Sequence, residues 1–377
     1  MKRKLLVAIP LLCLVALLAW FVRPKHETYG EGFISERSVT LWSGVAQVRE
    51  PLDTLYFGDR VEIVARHNDN AKVRTAGGTV GWIDARMFMD SMLWKRSAAL
   101  LDEAQALPLQ ARGRTKVATN LRVQPGRAQP RLYQFGRGIP VEIVGRAVAD
   151  ATPPAQATPP DEKEKEPPPS AEPGAETKKE EWLFIRALAT RPPGEANVKI
   201  SDPNTTTRPG DQTIPIAGWI VSRFVELDLP DAVKEGTASA NVRPVAWFEL
   251  TKVADPTGLK PEYLVAGARG PDSQPCDFTI LRVYTWNPRK TRYETAFIEN
   301  NLCGQLPIRV GKGPKSEPEF RFRTKDEPNE DRVYRLMQTV VRRIREGGSL
   351  MPPPKKSGSK SAKPAKSPAK AKTKKKS

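Results

Sequence analysis

One segment that the chain uses twice constrains its fold more than any other feature. Leu55-Tyr56-Phe57-Gly58-Asp59-Arg60-Val61-Glu62-Ile63-Val64-Ala65-Arg66 returns, with one shift before the glycine, as Leu132-Tyr133-Gln134-Phe135-Gly136-Arg137-Gly138-Ile139-Pro140-Val141-Glu142-Ile143-Val144-Gly145-Arg146. The shared Val-Glu-Ile-Val alternates as a half-buried strand does. Both copies also close alike, on Gly81-Trp82-Ile83-Asp84-Ala85-Arg86 and on Gly218-Trp219-Ile220-Val221-Ser222-Arg223. Self-similarity of this kind calls for two copies of one small β unit, so a single large core is not required.

Length and composition agree with modules joined by solvated segments. The 377 residues hold 36 prolines and 26 glycines, and only 39% are apolar. The expected fold class is mainly β.

Further residues give the repeat a family likeness. Leu121-Arg122-Val123-Gln124-Pro125-Gly126, the turn Gly58-Asp59-Arg60-Val61, the strand Trp182-Leu183-Phe184-Ile185-Arg186 and the twofold Gly-Trp-Ile together resemble the bacterial SH3 (Src homology 3) family. The resemblance implies two small SH3-like β-barrels, at 37–90 and 115–227, with grooves that bind peptides or cell-wall peptides. It makes Trp82, Trp182, Trp219, Tyr56 and Tyr133 the candidate binding residues. Core packing is the competing reading for the tryptophans. The first copy departs from the family at Asn70-Ala71-Lys72-Val73-Arg74, where an aromatic residue normally opens the third strand. The second carries an insertion at 149–181, rich in Pro, Glu, Lys and Ala, which is expected to be disordered because it has too little apolar surface to offset chain entropy. A further excursion spans about 192–212.

Between the copies, at 91–110, a connecting helix is expected, with Asp90 as N-cap and Pro108 as the stop. From 240 to 348 the pattern changes to longer alternating runs, with a hairpin turn at Asn287-Pro288-Arg289-Lys290. An amphipathic helix is expected over 330–346, with Val333, Leu336, Met337, Val340, Val341 and Ile344 on one face. The reading for this third domain is α+β, a small antiparallel sheet covered by that helix.

The two ends carry separate signals. Lys2, Arg3 and Lys4 precede an apolar run over 5–22, so residues 1–25 read as an uncleaved signal anchor, a transmembrane helix with the rest of the chain outside. Of the net charge of +18, ten units come from lysines in the last 26 residues, among them Lys355, Lys356, Lys374, Lys375 and Lys376. This disordered tail, 349–377, resembles the Lys-Ala-Pro-Ser tails of linker-histone-like proteins. It is expected to hold polyanions by counterion release, with anionic polymer or lipid surfaces as the partners of an exported chain and nucleic acid as the partner of a cytosolic one. Export also permits a disulfide between Cys276 and Cys303, because Cys13 lies in the apolar run.

Motifs for chemistry do not appear. The chain has two histidines, His26 and His67, and no HExxH, CxxC, Walker loop or GxGxxG. The expectation is therefore a non-catalytic, membrane-anchored envelope scaffold, periplasmic or extracellular, with no metal or cofactor. The alternative is a nucleic-acid-associated protein that uses the tail.

Overall fold

The structure, a computed structural model, describes residues 29–151, 179–191, 212–270 and 274–344. These residues form a mainly β chain of antiparallel sheets. The first sheet contains β1 (Gly30–Ile34), β2 (Ser38–Trp42), β3 (Pro51–Tyr56), β4 (Arg60–His67), β5 (Asn70–Thr75), β6 (Val80–Asp84) and β7 (Phe88–Asp90). Its strand order is β3-β2-β6-β5-β4-β1-β7.

The second sheet repeats the first strand for strand. It contains β8 (Ala111–Thr115), β9 (Thr119–Arg122), β10 (Arg131–Phe135), β11 (Pro140–Asp150), β12 (Lys179–Arg191), β13 (Gln212–Val221) and β14 (Val225–Leu227), in the order β10-β9-β13-β12-β11-β8-β14. The irregularities repeat too. A bulge between Ile63 and Ala65 recurs between Ile143 and Gly145, and the cross-strand ion pair Arg74–Glu62 (3.1 Å) recurs as Arg186–Glu142 (2.9 Å).

Two turns and two close approaches explain the shared glycines. Gly58 and Gly138 have φ of 84° and 79°, a region that costs a residue with Cβ, and their N–H groups donate to the carbonyls of Ile34 and Thr115. The closing glycines need closeness instead. A Cβ at Gly81 would lie 2.7 Å from the Trp42 carbonyl oxygen, and one at Gly218 would lie 2.8 Å from that of Arg122. The Gly of Gly-Trp-Ile is thus where β6 and β13 press against β2 and β9.

Four boundaries shift from those expected. Both units begin earlier than 37 and 115, because β1 and β8 read weakly in sequence: their inward positions include Gly32, Ala111 and Gly113, too small to signal a strand. The disordered insertion expected at 149–181 is also too wide. Ala149 pairs with Glu180 and Asp150 with Lys179, and Trp182 continues that strand, so cross-strand pairing overrides the polar composition at both rims. Residues 152–178 and 192–211 lie outside the described residues.

Helix α1 (Ser91–Ala106) is present where the sequence reads a connecting helix, and the Asp90 carboxylate accepts from the Leu93 N–H at 2.7 Å. Its Leu100 and Ala104 join a core that also holds Phe57 of the first unit and Tyr133, Phe135, Val141 and Ile185 of the second. Trp94 stacks on Phe33 with centroids 4.7 Å apart. The helix cements the two units.

Past the second unit, α2 (Asp231–Ser239) precedes two four-stranded meanders. The first contains β15 (Arg243–Asp255), β16 (Gly258–Ala268), β17 (Ile280–Asn287) and β18 (Arg292–Glu299); the second contains β19 (Gly304–Lys312), β20 (Pro318–Thr324), β21 (Arg332–Met337) and β22 (Val340–Ile344). Leu264, Leu281 and Val283 from one sheet share a core with Ile308, Phe320, Phe322, Tyr334 and Leu336 from the other. Asn287 caps the expected turn, its side-chain oxygen accepting from the N–H groups of Arg289 and Lys290.

The helix expected over 330–346 is a correction: this segment is the β21–β22 hairpin. Tyr334 and Leu336 alternate inward, Met337 pairs with Val340, and Gln338 takes the left-handed φ of 54° that a two-residue turn needs. Val333, Val340, Val341 and Ile344 are β-branched and favour a strand, and β20 offers an open edge to β21. The helix that packs on the first meander is α2, whose Val233 lies against Tyr263, Val265 and Tyr284.

A charged joint fixes this region to the second unit. The Arg146 side chain is 1% exposed and meets Glu181 at 3.1 Å and Asp277 at 3.0 Å, while it donates to the carbonyls of Gln274 and Cys276. Gln110 adds a two-way link, accepting from the Ile308 N–H at 2.8 Å and donating to its carbonyl at 3.1 Å. Cys276 and Cys303 are joined in a disulfide beside the joint. Among the described residues no helix is long and apolar enough to cross a membrane, and the run expected to anchor the chain, 5–22, lies outside them.

Candidate functional site

Two tryptophans stand side by side on the outer face of the first unit. Trp42 and Trp82 are paired in register across β2 and β6, and both are half-buried, because the inward positions of these strands are taken by Leu41, Gly81 and Ile83. Cross-strand aromatic pairs make a continuous apolar ledge. Polar groups surround it. The Arg49 guanidinium lies 4.4 Å from the Trp42 ring centroid, the Lys72 ammonium 6.0 Å from that of Trp82, and the His67 ring meets Trp82 edge-on at 6.5 Å.

The loop beyond Trp42 is pinned at its base. Ser43 N–H donates to the Glu50 carbonyl, and Glu50 N–H donates back to the Ser43 hydroxyl, both at 2.9 Å. This closure presents Val45 and Val48, the latter 95% exposed, with Leu52 beyond. The whole surface combines flat rings, loose aliphatic groups and two cations. It suits a ligand with a ring or prolyl face and a carboxylate, since each cation–π or stacking contact contributes about 0.5–1 kcal/mol at an exposed site.

The second unit fills the same position differently. Arg122 takes the place of Trp42 and donates to the Gln129 carbonyl, and Phe184 takes the place of Lys72 and stacks on Trp219 with centroids 4.9 Å apart. Trp219 packs against the core there.

The residues singled out in sequence therefore do not converge. Trp82 lies on the ledge. Trp182 is 1% exposed, and Tyr133 is buried, its hydroxyl accepting from the Thr190 N–H at 3.3 Å and its ring against Phe57 and Phe135. Tyr56 is half-buried and its N–H closes the turn on Asp59 at 2.8 Å. Sequence reasoning missed Trp42, Arg49 and Lys72. Aligning Leu41 with Leu121 would have found Trp42, since both leucines lie under the closing glycines. Lys355, Lys356, Lys374, Lys375 and Lys376 lie outside the described residues, as does His26.

Among the described residues, several titratable groups elsewhere are perturbed by burial and by neighbouring charges. Burial pushes Glu262 up to about 7, against one backbone N–H donated by Trp286. Burial also raises Asp277, which the Leu306 N–H and Arg146 oppose. The Arg127 guanidinium, with Arg223 beside it, holds Glu180 below the usual carboxylate range. Among the described residues no three His, Cys, Asp or Glu side chains are grouped to hold a metal ion.

Comparison with known proteins adds little. No family model and no curated protein matches the chain. Among solved structures, NlpC2 from Trichomonas vaginalis overlaps at a TM-score of 0.16 and 9% identity, covering 73% of this chain and 98% of that one. An NlpC/P60 family protein from Bacillus cereus ATCC 10987 overlaps at 0.19 and 11% identity, covering 72% and 94%. Overlaps this weak assign neither fold nor activity.

Proposed function

We propose that the chain is a non-catalytic envelope binding protein, anchored through residues 1–25 and lying outside the membrane, whose two repeated units are SH3-like barrels of the bacterial kind. The first barrel binds peptide or cell-wall material on the Trp42–Trp82 ledge. The observation that carries this reading is the contrast between the copies: the position that the second fills with Phe184 stacked on Trp219 is left half-open in the first, with the mobile-ended side chains of Arg49 and Lys72 over the rings in place of a second aromatic ring.

Two further features support it. The Cys276–Cys303 disulfide suits an exported chain. The ten-lysine tail would add loose attachment to anionic polymer or lipid, raising the effective concentration of the ledge at the wall.

Retention of the purified full chain on isolated cell wall at physiological salt tests the proposal. The wild type is expected to be retained and the double variant Trp42→Ala, Trp82→Ala to wash off. Equal retention of both would remove the ledge from the account.

A further inference from the structure

The β21–β22 hairpin places arginines where a helix would have dispersed them. Inward positions of the last sheet are taken by Ile308, Phe320, Phe322, Tyr334, Leu336 and Val341, so the alternate positions, Arg309, Arg321, Arg323, Arg335 and Arg342, share its outer face. Arg309 stands directly opposite Arg321, and Arg335 opposite Arg342. Like charges facing each other across strands destabilise a sheet, so the fold gains nothing from these two pairs. Two carboxylates meet five guanidinium groups: Glu319 pairs with Arg321 at 2.8 Å and Arg335 at 2.9 Å, and Asp331 pairs with Arg323 at 2.8 Å. Among the described residues Arg309 and Arg342 have no ion pair.

The hairpin tip adds an apolar element. Met337 and Val340 flank the turn, and Val340 is 46% exposed. From Ile344 the chain runs on towards the ten-lysine tail, so charge of the same sign continues from this edge strand. The face itself is broad, about 14 Å across its four strands. We propose that this sheet face and its tip dock on an anionic phospholipid surface, the arginines taking headgroup phosphates and Val340 the acyl boundary. A soluble polyanion would use the arginines but gain nothing from Val340, which is what favours a lipid surface.

The test holds the full chain in neutral phosphatidylcholine nanodiscs and measures capture of free vesicles, either pure phosphatidylcholine or with phosphatidylglycerol added. Capture is expected with the anionic vesicles only. The double variant Arg309→Gln, Arg342→Gln should weaken it about thirty-fold, at about fivefold per basic group. A charge-matched control, Lys95→Gln with Arg96→Gln on α1, should leave capture unchanged. Val340→Asn should weaken vesicle capture about fivefold and leave binding of inorganic polyphosphate or duplex DNA as it was. Wild-type capture by both sheet variants would assign all contact to the tail and overturn the proposal. Equal loss of polyphosphate and vesicle binding in the arginine variant, with no effect of Val340→Asn, would overturn it in favour of a soluble polyanion. Unchanged near-ultraviolet circular dichroism shows that each variant is folded.

Discussion

Replacing Arg146 by Met tests how the third region is held to the second unit. The substitution keeps most of the alkyl stem and removes a guanidinium that is 1% exposed. It takes the closest arginine from Glu181, with Arg243 standing farther off at 3.4 Å, leaves the Leu306 N–H on Asp277, and strips a donor from the carbonyls of Gln274 and Cys276. Breaking a buried ion network by removing one partner costs about 3–5 kcal/mol, chiefly because the remaining charges stay desolvated. The matched control is Arg66→Met. Arg66 occupies the same place in the first copy but is exposed, 5.9 Å from the Phe88 ring and with no carboxylate bonded to it among the described residues, so its loss should cost under about 1 kcal/mol. Urea unfolding followed by tryptophan fluorescence reads both. The triple variant Arg146→Met, Glu181→Met, Asp277→Asn should recover at least half of the loss, since it removes the stranded charges along with their partner. An Arg146→Met cost below about 1 kcal/mol, or a triple variant as unstable as the single, would refute the reasoning.

Glu262, 2% exposed, sets a pH dependence. Its folded value of about 7 lies above the ordinary 4.5, so its contribution is fully present below about pH 4.5 and is lost as pH rises through 7, about 3 kcal/mol in all. Glu262→Gln should flatten that part of the stability profile and be the more stable protein at pH 8; parallel profiles would contradict this. Replacing Cys276 and Cys303 by Ser should cost about 3–4 kcal/mol in oxidising buffer and nothing relative to wild type in reducing buffer, as read by urea midpoints. Gly218→Ala should destabilise the second unit by at least 1–3 kcal/mol, because its Cβ meets backbone at 2.8 Å; a midpoint shift near zero would show that β9 yields freely. An epitope fused after Ser377 should be removed by protease before the inner membrane is opened, and protection until that point would reverse the topology.

What was legible in sequence follows from how local each signal is. The repeat was readable because Val61–Val64 and Val141–Val144 alternate strongly and the closing Gly-Trp-Ile recurs, and the same residues occupy matched strands. The opening strands were not, since Gly32 and Gly113 face inward, where the Phe88 ring and the Glu226 carbonyl respectively crowd the space a side chain would take. The 330–346 segment misled because Val333, Leu336, Met337, Val340, Val341 and Ile344 fit a 3.6 period as well as a hairpin. Only pairing with the open edge of β20, the preceding strand of the meander, decides between them, and a helical period within 330–346 does not report it. The ledge was half visible: Trp82 stands in a motif, whereas Trp42 is recognised only through its cross-strand partner. Arg146 closed the repeat in sequence, but its burial depends on Asp277, far along the chain.

The most direct test of the central claim is calorimetric titration of the full chain with soluble cell-wall fragments, comparing wild type with Trp82→Ala. The account predicts saturable binding that weakens at least tenfold in the variant while thermal stability changes little, because the ring lies on the outer face. Absence of binding by the wild type, or equal affinity in both proteins, would contradict it.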